Sequence, residues 1–106
     1  MQLAIALIVG LTSTTPIRAP SMSTSWSDLT TSQAECIAKG SRAMRAAGLT
    51  QNFEVVGENT IYGEVGDYTG AIRCAESKNI VIFIIAGPDV ARCRSLRESM
   101  KNSFEQ

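Results

Sequence analysis

Residues 60–86 read TIYGEVGDYTGAIRCAESKNIVIFIIA, and this stretch decides the fold. It divides into three runs rich in β-branched and aromatic residues, separated by turn residues. Thr60 to Val65 is one strand, and Gly66-Asp67 is a two-residue turn of the kind that closes a tight hairpin. Tyr68 to Ala75 follows, Glu76 to Asn79 turns the chain, and Ile80 to Ala86 (IVIFIIA) is a strand with apolar residues on both faces. Upstream, Phe53 to Val56 is an earlier strand and Gly57-Glu58-Asn59 the turn after it. Short connections make neighbours antiparallel, so the four strands form a meander.

A helix flanks the strands on each side. Ser32 and Glu35 have the spacing of a capping box, which starts a helix that runs to Ala47. Ile37, Gly40, Met44 and Ala47 fall on one face, Lys39, Arg42 and Arg45 on the other, and Gly48 is the stop. Gly40 costs about 1 kcal/mol against alanine inside a helix, and its missing side chain lets the helix approach a sheet closely. Gly87-Pro88-Asp89 opens the second helix, with proline and an acid favourable in its first turn. Val90, Cys93, Leu96, Met100 and Phe104 recur at helical spacing as its buried face, and Arg94, Glu98 and Lys101 lie away from it. The predicted architecture is α+β, a two-layer sandwich of order α-β-β-β-β-α. A four-stranded antiparallel sheet carries two helices on one face. Residues 31–106 form this single domain.

The preceding residues address the compartment. Leu3 to Leu11 (LAIALIVGL) is an apolar run of nine residues, well short of the ~20 needed to cross a bilayer. It has the length of a signal-peptide core, and Ala19-Pro20-Ser21 supplies small residues for a cut before Met22. Residues 1–21 are therefore expected to be a signal peptide and residues 22–30 a flexible polar arm carrying Trp26. The protein is expected in the periplasm or secreted, with no stable membrane anchor. The full chain balances ten basic against ten acidic residues. Such a balance gives no field that favours nucleic acid.

The chain has three cysteines and no histidine. An odd count in an exported domain points to one bridge and one free thiol. The first helix feeds the first strand, so that strand runs back towards the helix N-terminus, and the third strand runs the same way. Cys74 near the end of that strand then approaches Cys36 in the first turns of the helix. Cys93 starts the second helix at the other end of the sheet, a strand length of about 20 Å away, beyond the reach of a disulfide. The expected bridge is Cys36–Cys74, with Cys93 reduced and packed beside Leu96.

Catalytic and metal motifs are weak. Cys93 has no histidine to act as its base and falls on the apolar stripe. Isolated cysteines without histidine do not make a zinc site, and no metal or cofactor is expected. Gly57 to Arg73 is glycine-rich but lacks the Lys-Ser/Thr ending of a phosphate loop. Arg92, Arg94, Arg97 and Lys101 read as a solvated helix face, with Glu98 placed to pair with Arg94. Glu64 and Asp67 are the carboxylates a small hydrolase would use, though solvated hairpin charges explain them more simply.

With both helices on one side, the other sheet face must meet water or a partner. Either Val81, Phe83 and Ile85 or Ile80, Ile82 and Ile84 must point that way. The expected interaction surface is Tyr62, Glu64, Asp67, Tyr68, Val81, Phe83 and Ile85. The corresponding expectation is an exported protein-binding module, inhibitor-like or immunity-like in size and compartment, whose partner is another protein or itself. A structural accessory subunit acting as a homo-oligomer is the alternative.

Overall fold

The computed structural model describes residues 19–106. The expected signal segment, residues 1–21, lies outside the described residues except for its last three. The elements are β1 (Ser21–Asp28), α1 (Gln33–Ala46), β2 (Gln51–Val56), β3 (Thr60–Val65), β4 (Tyr68–Ala75), β5 (Ile80–Gly87) and α2 (Val90–Glu105). A one-turn 3₁₀ helix, Glu76–Lys78, connects β4 to β5.

The strands form one antiparallel sheet in the order β1-β5-β4-β3-β2. The fold is α+β, with the sheet one strand larger than expected. The residues read as a flexible arm are β1, which pairs with β5 from Ser21↔Gly87 to Asp28↔Ile80. A cut before Met22 would remove only the first of these pairs. β1 was hidden because its inward row is serine rather than apolar. Ser23 Oγ accepts from Arg97 Nε at 2.9 Å, and Ser27 Oγ donates to Glu105. β5 is thus an interior strand between β1 and β4, with its inner row packed on the helices and its outer row on the open face.

Local rules place the helices. The Ser32 side chain accepts from the Glu35 N–H at 3.1 Å, and the Asp89 side chain accepts from the Arg92 N–H at 2.8 Å. α1 ends where Gly48 turns left-handed at φ 88° and Leu49 N–H returns to the Met44 carbonyl. Leu49 is buried by that turn. Gly40 does bring α1 close to the sheet: a Cβ there would lie 2.5 Å from Ile61 Cδ1. The β3–β4 turn has Gly66 at φ 56° with Asp67 after it, as a tight hairpin requires.

The core lies between the helices and the inner sheet face. Ile61, Ile72, Val81, Phe83 and Ile85 meet Met44, Leu96, Met100 and Phe104 there. Phe83 and Phe104 stack edge to face with centroids 5.4 Å apart. Cys36 and Cys74 are joined, with Cα atoms 6.1 Å apart. Gln33 fastens the same corner: its Nε2 donates to the Glu58 and Cys74 carbonyls, and its Oε1 accepts from the Glu76 N–H.

The β2–β3 turn contains a correctable strain. Glu58 sits at φ 56°, in the left-handed region that penalises side chains. Glu58→Gly is expected to stabilise the fold by about 0.5–1 kcal/mol, the penalty relieved less the added freedom of the unfolded chain. A thermal midpoint higher than wild type checks this, and an unchanged or lower midpoint contradicts it.

Candidate functional site: the open face of the sheet

Helices cover only one side of the sheet, and strand register places every side chain of the other. One row runs Trp26, Ile82, Arg73, Thr60 and Val56 across the strands. The adjacent row runs Thr24, Ile84, Ala71, Tyr62 and Glu54. Met22, Trp26, Val56 and Tyr62 are exposed, Met22 and Trp26 by 60% and 59%. Ile80, Ile82 and Ile84 are half-buried between them. The small Ala71 side chain leaves a shallow apolar trough with Tyr62, Ile82 and Ile84 along it. Arg73 stands inside the trough, between Ile82 and Thr60 at the start of β3, and Lys78 lies beyond Ala75 and Ile80. Among the described residues neither makes an ion pair. Glu64 lies at the other end of β3, its Oε1 accepting from Asn52 Nδ2 at 2.8 Å. The face is therefore apolar along β1 and β5, with Arg73 and Lys78 as basic groups in and beside the trough and Glu54 and Glu64 as acidic groups on β2 and β3.

The expected surface is only partly gathered here. Tyr62 and Glu64 lie on this face. Val81, Phe83 and Ile85 do not: each is fully buried on the opposite side, against the helices. The disulfide determines this. Cys74 must face α1 to reach Cys36, and Val81 is its direct partner across β4 and β5. Val81, Phe83 and Ile85 share that side because strand side chains alternate. Tyr68 also falls on the helix side, where it packs against the core with its ring over Gly87. Asp67 is exposed at the hairpin tip, beside Ala19, Pro20 and Pro88 rather than in the trough. The outward triplet is the alternative one, Ile80, Ile82 and Ile84, and the residues missed are Met22 and Trp26, which the arm reading hid.

The remaining candidates reduce to structure. Cys93 is free and buried, its Sγ donating to the Ser21 carbonyl at 3.7 Å. Burial pushes its thiol pKa up, and the Asp89 carboxylate adds to this, so the reactive thiolate is disfavoured. Arg97 is tied to Ser23, and Glu98 lies 3.8 Å from Arg97 rather than pairing with Arg94. Gly63 and Gly70 are contact points: a Cβ at Gly63 would meet the Leu49 carbonyl at 2.3 Å, and one at Gly70 would meet Leu49 and Ile85. Among the described residues, no three His, Cys, Asp or Glu side chains converge as metal ligands. No helix among them is long and apolar enough to cross a membrane. No protein-family model matches the chain, and no curated protein has a significantly similar sequence.

Proposed function

We propose that the protein is a small exported binding module, periplasmic or secreted, that grips a protein partner on the open face of its sheet. The single observation that carries this is the apolar trough with Trp26 and Met22 exposed beside it. Contiguous apolar surface of this kind is costly to leave in water and marks association. Large aromatic side chains near a trough are the usual anchors of such contacts. The Cys36–Cys74 bridge supports an oxidising compartment. The charge layout favours an apolar partner segment bearing a carboxylate that meets Arg73 and Lys78.

The test uses Ile82→Glu, which places a carboxylate in the trough without touching the core. Immobilised wild-type protein is expected to retain a stoichiometric partner from the extracytoplasmic fraction of its native cells. Ile82→Glu is expected to lower that capture by about tenfold or more, with its thermal midpoint nearly unchanged. Equal capture by the two proteins contradicts the reading. Tyr62→Glu, on the other side of the same trough, serves if Ile82→Glu fails to fold.

A second reading, a structural accessory subunit working as a homo-oligomer, is favoured by the straight outer edge of β1.

A further inference from the structure

The two edges of the sheet differ. β2 is broken by a register shift between Gln51 and Glu54, with Asn52 at φ 48° and a charged Glu54 beside it. Bulges and charges of this kind block the addition of another strand. β1 has none of these defences. Its eight residues pair with β5 in unbroken register, it contains no proline, lysine or glycine, and its one charge, Asp28, is at its end. Among the described residues no strand lies beyond it. The side-chain bonds from α2 to β1 reach the inward serine row. The outer N–H and C=O groups of β1 form a template for another strand.

We infer that this edge pairs antiparallel with β1 of a second copy of the chain, about a two-fold axis through Thr24. The sequence of β1 selects both the occupant and the register. Opposed residues in an antiparallel pair must share a face, so a symmetric pairing centres on one residue. Centring on Thr24 sets Met22 against Trp26 of the partner copy, and Trp26 against its Met22. These are the two most exposed apolar side chains of the strand, and thioether–aromatic contacts are favourable. Centring on Ser25 would instead set Met22 against Asp28.

Charge complementarity supports the same axis. Ser23 meets Arg97 and Ser27 meets Glu105, so Thr24 lies level with residue 99 of α2. The two-fold sets the α2 helices antiparallel beneath the joined strands. Arg94 of each copy is then level with Glu105 of the other, and both side chains are exposed in the single chain. The product is a continuous ten-stranded sheet, twice the five strands of one copy, whose open faces merge. This pairing supplies the surface for the homo-oligomer reading and uses the edge of the sheet rather than its face.

Sedimentation of the oxidised protein over the micromolar range is expected to show a monomer–dimer equilibrium. Thr24→Lys, which sets two ammonium groups together at the axis, is expected to weaken it by about tenfold. Thr24→Cys is expected to cross-link covalently, since opposed residues sit about 4.5–5.5 Å apart in Cα. Thr50→Cys, near the other edge, is expected not to do so. If Thr24→Lys fails to fold, Arg94→Glu should weaken the dimer and the added Glu105→Arg should restore it. A monomer at every concentration with no Thr24→Cys cross-link overturns the pairing, as does a dimer indifferent to Thr24→Lys and to the charge exchange. Either result leaves the Ile82→Glu test of partner binding unaffected.

Discussion

Replacing Cys36 and Cys74 together by serine is expected to lower the unfolding free energy by about 4 kcal/mol. The bridge closes a segment spanning 38 positions, from the first turns of α1 to the end of β4. Without it the unfolded chain regains the freedom of that whole segment, which is the source of the loss in the chain-entropy model. The effect is large relative to what a domain of this size holds, since small domains unfold with about 5–15 kcal/mol. The bonds of Gln33 to the Cys74 carbonyl and the Glu76 N–H occupy the same corner, and they also weaken once α1 can shift. Urea unfolding of the oxidised protein, beside the double variant and beside wild type with reductant, reads this directly. The two altered samples should agree, because buried Cys93 takes no part in the bridge. A loss below about 1 kcal/mol, outside the usual range for a native bridge, contradicts the account.

Phe83→Ala is expected to cost about 3–5 kcal/mol, whereas Ile82→Ala beside it costs less than about 1.5 kcal/mol. Phe83 is fully buried, and its ring meets Phe104 edge to face. Truncation removes that contact and leaves a cavity bounded by helix and sheet, which cannot easily collapse. Ile82 is half-buried on the open face, where water fills the space its side chain leaves. Neighbours in one strand thus separate by severalfold in cost, and the separation reports which side of β5 is the core. Comparable losses, or a larger loss at Ile82, would mean that the sheet is turned over relative to the helices. Phe83→Ala combined with reduction of the bridge is expected to leave no cooperative unfolding transition.

The parts of the fold that local chemistry dictates were legible from the residues alone. Ser32 with Glu35 marked the start of α1, Pro88-Asp89 marked that of α2, and Gly66-Asp67 marked the β3–β4 hairpin. The bridge followed from topology, since strand direction brings only Cys74 to Cys36. β1 was not legible, because alternation is sought in apolar residues and SMSTSWSD alternates serine with methionine, threonine and tryptophan. Of its inward serines, Ser23 and Ser27 are held by Arg97 and Glu105, which belong to a helix some seventy positions away. The exposed face was misassigned although the bridge contained the answer. A turn closing Ala75 on Ile80 sets Cys74 opposite Val81, and a cysteine bonded to α1 puts Val81, Phe83 and Ile85 inside. The candidate site inherited both errors, retaining Tyr62 and Glu64 and missing the residues that β1 contributes.

The central claim is that the open face of the sheet holds a protein partner outside the cytoplasm. The most direct test replaces Ala71, at the floor of the trough, with a photo-cross-linking amino acid and irradiates intact native cells. Ser95, exposed on α2, takes the same group as the control. The account predicts one discrete adduct with another protein from position 71, none from position 95, and loss of the adduct when Ile82→Glu is added. Adducts equal from the two positions, or none from position 71, would contradict it.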